Sequence, residues 1–124
     1  MKIGIDFHGV IKESPKFFSE FTKAMLAFNH EIHIITGSKE KDISAFLFKH
    51  KIGYTHFYSI TDNLLENKFD YVVDEHGRPQ FVEGIWETQK AWYCLDNKID
   101  MMLDDSDVYG KYFVTPYCKW EGVK

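Results

Sequence analysis

Cysteine is scarce in this chain. Cys94 and Cys118 are the only two among 124 residues, and they match neither a metal motif nor a disulfide framework. A reduced, cytoplasmic chain is the expectation. Long apolar runs are also missing, so no segment is expected to span a membrane. The apolar start is interrupted by Asp6 and His8, which argues against a signal peptide. Positive charge is not in excess: 15 basic against 19 acidic residues leave a net charge of −4. A general nucleic-acid groove is therefore not indicated. There is no repeat, low-complexity tract or linker. Hydrophobic residues at 44% and aromatics at 17% suffice for one packed core, so residues 1–124 read as a single domain.

Short apolar runs alternate with helical patterns. Residues 2–6, 31–35, 54–60, 70–74 and 99–103 read as strands, and Tyr112, Phe113 and Val114 as a last one. Ser14-Pro15 reads as a helix start. Phe17, Phe18, Phe21, Met25 and Phe28 then form a core-facing stripe. Ser38 caps a second helix with Ile43, Phe46, Leu47 and His50 on one face, and Gly53 breaks it. Thr61 caps a short helix through Leu64 and Leu65. His76-Gly77-Arg78-Pro79 is a turn signal, placing a small hairpin at 74–82. Residues 87–96 form a helix with Ala91, Trp92 and Leu95 inward.

Strands separated by helices imply an α/β fold, with a parallel sheet and helices on both faces. Right-handed crossovers put all strand carboxyl ends on one edge, where open α/β sheets bind ligands. Asp6 and His8 follow the first strand, Thr36 the second, and Asp104 and Asp105 the 99–103 strand. Lys90 opens the preceding helix near that edge. Carboxylates gathered this way need a cation, and hard oxygen donors suit Mg²⁺. Asp6 beside a bound phosphate is placed to attack phosphorus. Thr36 and backbone N–H groups around Phe7, Gly9 and Gly37 are candidates to hold phosphate oxygens. Lys90 offsets the local negative charge, and Gly9 lets backbone approach closely. His30, His33, His50, His56 and His76 show no ligand spacing and are assigned no metal. Trp86 and Trp92 read as packing residues, Trp86 at the border of the site.

The order D-x-H-G-V, IITG, Lys, LDDS over residues 6 to 105 resembles the four motifs of the haloacid dehalogenase (HAD) superfamily of phosphatases. The acidic pair of receiver domains comes early in the chain, and here it comes last. The resemblance implies a three-layer Rossmann-like fold, capless or minimally capped, and a Mg²⁺-dependent phosphomonoester hydrolase working through an aspartyl-phosphate on Asp6. It implies that Thr36 binds phosphate and Lys90 is the motif lysine. Metal ligands would be Asp6, the His8 carbonyl and Asp105, with Asp104 acting through a water or a hydrogen bond. The family has an aspartate as general acid and base where this chain has His8. A histidine can do the same proton work. The alternative is an impaired relative that binds a metal, a phosphate or a protein. The implied substrate is a nucleotide, a sugar phosphate or a phosphorylated macromolecule, and a homo-oligomer closing the site is compatible with the reading.

Overall fold

The computed structural model describes residues 1–122, less the side chains of Val108 and Tyr109; residues 123 and 124 of the expected domain lie outside that description. Five strands form one parallel sheet: β1 (Lys2–Ile5), β2 (Glu31–Thr36), β3 (His56–Ser59), β6 (Met101–Asp104) and β7 (Tyr117–Lys119). Their spatial order is β3-β2-β1-β6-β7. The chain steps outward from β1 to β3, then returns to the other side of β1. That reversal makes β1 the switch point of the sheet, the place where a crevice opens beyond the strand ends.

Alternation along the strands divides the interior into two layers. Ile3, Ile5, Ile32, Ile34 and Leu103 face α1 (Pro15–Ala27) and α2 (Glu40–Lys49), where Phe18, Ile43 and Leu47 meet them. Ile35 and Met102 face α4 (Ile85–Asp96), where Cys94 and Tyr93 meet them. Helices thus flank both faces of the sheet. Gly4 lets the α4 face pack closely, because a Cβ there would lie 2.7 Å from Met102 Sδ and 2.8 Å from Ile35 Cδ1, and those side chains would have to shift. A short α3 (Ile60–Glu66) follows β3, and α5 (Asp107–Gly110) follows β6.

Several expectations change. The segment read as a strand at 70–74 does not join the main sheet. Its residues Tyr71–Val73 (β4) pair antiparallel with Pro79–Phe81 (β5), so the hairpin begins three residues earlier than its turn signal suggested. The Asp74 carboxylate closes the turn by accepting from the N–H groups of His76 and Arg78, each at 2.9 Å. The last strand is Tyr117–Lys119 and not 112–114. Phe113 instead packs against Tyr117 with the rings tilted and their centroids 5.1 Å apart, and Val114 is exposed. In α1 the stripe is narrower than expected: Phe18 is sealed in the core while Phe17 and Phe28 reach solvent.

The caps also differ. Ser14 precedes Pro15 but makes no side-chain cap. Ser38 does not cap α2, whose first N–H, at Glu40, goes to Asp62 Oδ2 at 2.9 Å. Ser59, not Thr61, caps α3, accepting from the Asp62 N–H at 3.0 Å. The Thr61 hydroxyl instead donates to the Gly37 carbonyl at 2.6 Å. In α4 the inward residues are Lys90 and Cys94, whereas Trp92 is 57% and Leu95 50% exposed. The helix is rotated so that a lysine faces inward, a choice that apolar periodicity does not register. Among the described residues no helix is long and apolar enough to cross a membrane.

Phe18→Ala is expected to lower unfolding free energy in urea by about 3–5 kcal/mol, the cost of emptying a sealed aromatic site. Phe48→Ala, at an exposed position of α2, should stay within about 0.5 kcal/mol of the parent.

Candidate active site

Beyond the end of β1 the chain makes one wide turn, Phe7–Ile11. The Asp6 N–H still belongs to the sheet, donating to the Leu103 carbonyl at 2.9 Å. The Asp6 carboxylate then caps the turn, with Oδ1 accepting from the Phe7 N–H at 2.8 Å. The Lys12 N–H closes the turn on the Phe7 carbonyl at 2.9 Å. Gly9 sits inside it at φ +77°, a left-handed conformation that favours glycine. A Cβ on Gly9 would land 1.9 Å from Asp105 Oδ2. The turn and the loop after β6 are thus pressed together, and the missing side chain is what lets the Asp105 carboxylate come so close.

Lys90 projects from the sixth position of α4 into the same place and is buried. It is well inside the helix, which begins at Ile85, rather than at its start. Its Nζ lies 3.0 Å from Asp6 Oδ1 and 2.7 Å from Asp104 Oδ2. Asp104 is fully buried at the end of β6, and its Oδ1 accepts from the Ser106 N–H at 3.1 Å. Asp105, the next residue, is exposed. Oxygen atoms of Asp6, Asp104 and Asp105 lie within 4.8 Å of one another. The two members of the acidic pair therefore differ in role: one is bonded inward to the lysine and the other faces the crevice.

The electrostatics follow from burial. Burial raises the Asp6 pKa well above the usual carboxylate range; Lys90 opposes the rise and Asp104 adds to it. Burial pulls Lys90 down, but the Asp6 and Asp104 carboxylates outweigh it and hold the ammonium above its ordinary value. Two carboxylates against one ammonium leave the inner site short of positive charge, a deficit that a cation would correct.

Thr36 ends β2, level with Ser59 of β3. It is fully buried, and its Oγ1 accepts from the Ser38 N–H at 3.2 Å. Ser38 Oγ lies 2.7 Å from His8 Nε2. That contact spans the crevice between the first and second strand ends, and it was not legible in the sequence, where Ser38 looked like a helix cap. His8 is otherwise open to solvent. Its pKa is lowered, first by partial burial, then by the charges of Lys12, Lys90 and Arg78, against Asp105. The neutral imidazole is thus favoured at pH 7. Arg78 belongs to the β4–β5 turn, so the hairpin brings positive charge toward the site.

Gly37 has Trp86 against it, since a Cβ there would meet the Trp86 ring carbon Cζ2 at 2.6 Å. Trp86 stacks in turn near Phe81 of the hairpin, with centroids 6.0 Å apart. The aromatic pair walls the Thr36–Ser38 side of the site. The Phe7 N–H, one of the groups expected to hold a phosphate, is committed to Asp6.

The structure therefore brings Asp6, His8, Gly9, Thr36, Gly37, Lys90, Asp104 and Asp105 to one sheet edge, adds Ser38, and sets Trp86 against Gly37. Comparison with known proteins adds nothing further: no family model, curated protein or solved structure matches the chain.

Replacing Lys90 by Met is expected to cost about 3–5 kcal/mol, since it leaves buried carboxylates without their cation. The double variant Lys90→Met/Asp104→Asn should recover part of that loss. Urea unfolding of the single and double variants checks both statements.

Proposed function

We propose that this chain is a HAD-like, Mg²⁺-dependent phosphomonoester hydrolase, with a Rossmann-like core and no cap domain beyond the β4–β5 hairpin. The observation that carries the reading is the convergence of Asp6, Asp104 and Asp105 on one point at the switch of the sheet, with Lys90 as their buried counter-charge. The all-oxygen donor set fits Mg²⁺, which takes one or two carboxylates and keeps waters and a substrate phosphate. The close seat of Asp105 against Gly9 also fits, because it aims that carboxylate at the turn bearing Asp6 and His8. Asp6, Asp105 and the His8 carbonyl would hold the ion, and Asp104 would orient the lysine. A bound Mg²⁺ would neutralise part of the carboxylate and phosphoryl charge.

The residues then divide the work. An Asp6 carboxylate oxygen attacks phosphorus, and the bond from phosphorus to the leaving alcohol breaks. Protonated His8 supplies a proton to the departing oxygen. A water next attacks phosphorus, gives its proton to His8 and frees Asp6, so that ester and water become alcohol and phosphate. Thr36 and the Gly37 backbone bind phosphate oxygens, while Lys90 holds Asp6 in place and offsets negative charge. Ser38 orients the His8 ring. Because the neutral form of His8 is favoured at pH 7, it suits the water-activating half of the cycle better than the leaving-group half.

Two measurements test this. Asp6→Asn is expected to abolish hydrolysis of a phosphomonoester panel while keeping the melting curve of the parent. Mg²⁺ should raise the melting midpoint of the parent and leave that of Asp105→Asn unmoved. A Mg²⁺-independent parent midpoint, or full turnover by Asp6→Asn, would overturn the reading.

His8→Ala should lose about 10²–10⁴-fold in rate, the usual share of a general acid or base, and still respond to Mg²⁺ through its carbonyl. With poor leaving groups the His8-dependent part of the parent rate should rise as pH falls toward the lowered His8 pKa, because its protonated fraction grows; protonation of Asp6, whose pKa burial raises, slows every substrate alike and cancels in the ratio to an aryl phosphate. An aryl phosphate, whose leaving group needs no proton, should not show that rise. A parent inert on every substrate, with activity created by His8→Asp, would favour a binding module instead.

A further inference from the structure

A second group of ligand-type side chains lies toward the opposite end of the sheet. Glu31 opens β2, and His33 follows two residues later on the same strand face. The pairing of β2 with β3 places His56 directly opposite His33. The two imidazoles lie face to face, with centroids 4.2 Å apart and planes 4° from parallel. Both approach one carboxylate oxygen: Glu31 Oε1 is 3.0 Å from His33 Nε2 and 3.6 Å from His56 Nδ1. One ligand atom from each residue lies within 4.8 Å of the others. None of these residues takes part in the site described above, and Thr36, at the far end of β2, is five residues along, about 16 Å away at strand rise.

We propose that Glu31, His33 and His56 form a binding site for a divalent transition-metal ion of the Zn²⁺ class, distinct from the carboxylate site. Zn²⁺ binds imidazole nitrogen and carboxylate oxygen at about 2.0–2.2 Å. In a tetrahedral shell of such bonds the ligand atoms stand about 3.3 Å apart, and the two contacts to Glu31 bracket that value. Two nitrogen donors and one oxygen select Zn²⁺ over Mg²⁺, which demands oxygen. Three protein ligands leave a fourth position for water, on the side where His56 is half exposed.

The surroundings suit an ion. His33 is buried, and its Nδ1 lies 2.7 Å from the Tyr93 hydroxyl. A ligating imidazole usually has its second nitrogen fixed by such a partner. On metal binding, the proton that His33 Nε2 shares with Glu31 moves to Nδ1, where Tyr93 Oη accepts it, and the Nε2 lone pair goes to the ion. Burial lowers the His33 pKa, and the His33 hydrogen bond lowers that of Glu31; neutral imidazole beside carboxylate is the form a metal needs. Two local contacts and the ring stack must yield: with the imidazole planes 4° from parallel their in-plane lone pairs do not converge, so the half-exposed His56 ring turns to aim Nδ1 at the ion. His56 Nδ1 lies 2.9 Å from Thr55 Oγ1, and the Lys2 ammonium is 4.0 Å from Glu31 Oε2. The half-exposed His56 ring and Lys2 side chain can turn away, while Thr55 Oγ1 stays bonded to the Ile32 backbone.

The test is Zn²⁺ titration by calorimetry in excess Mg²⁺, which occupies oxygen-donor sites, with Co²⁺ absorption as a second readout of tetrahedral nitrogen ligation. The parent should take up one Zn²⁺ per chain and melt higher with it. His56→Ala, at an exposed position, and Glu31→Gln, at a half-buried one, with parent-like circular dichroism expected for both, should each weaken Zn²⁺ at least about tenfold. Asp105→Asn should bind Zn²⁺ as the parent does, which keeps this site separate from the proposed hydrolase centre. Absence of stoichiometric uptake, uptake unchanged in both variants, or uptake lost in Asp105→Asn would each overturn the proposal.

Discussion

The Lys90 ammonium between Asp6 and Asp104 is the contact on which the rest of the site depends. It joins α4 to the ends of β1 and β6 at 3.0 and 2.7 Å, inside the protein. Burying any one of these charges alone would be prohibitive, and together they are tolerable only because each has the others. The cost shows in the rotation of α4. The helix leaves its apolar Trp92 and Leu95 half exposed and sends a lysine into the core instead. Stability alone gives no reason for that choice, since an apolar trio would pack there at lower cost. A site that must hold a carboxylate in one orientation does give a reason.

Topology supplies the place for this triad. In a parallel sheet whose order reverses at β1, the loops after β1 and β2 diverge from the loop after β6, and a crevice forms between them. The Phe7–Ile11 turn, with Gly9 at positive φ, folds back toward the β6 loop until only a glycine fits against Asp105. On the other side, His8 and Ser38 meet across the crevice at 2.7 Å. The hairpin stands next to this edge through Phe81 and Trp86. It covers one side of the crevice, where Trp86 also lies against Gly37.

The two groups of potential ligands differ in a way that chemistry can use. The one at the strand carboxyl ends is made of carboxylate oxygen alone; the one around Glu31 has two imidazoles. Hard and borderline cations would therefore sort between them by donor type. Both groups are built on strand residues and strand-end loops, so their spacing is held by the ladder of β1, β2, β3 and β6 and not by flexible segments.

The amino-acid sequence by itself determined the alternation of strands and helices and the parallel sheet that follows from it, because burial on both faces demands continuous apolar strands linked by crossovers. It also located Asp6, Thr36, Asp104 and Asp105 at strand ends, since each stands just where an apolar run stops. Tertiary structure alone decided what those residues touch. Whether Lys90 faced inward could not be read from the pattern, because a buried lysine looks polar in any periodicity and is bought only by partners 14 and 84 residues away. Ser38 read as a local cap for the same reason, its partner His8 being remote in the chain. His33 and His56 lie 23 residues apart and match no ligand motif; the β2–β3 register is what stacks them. Local rules place a residue on an element, and only the packing of elements against one another decides which charges meet.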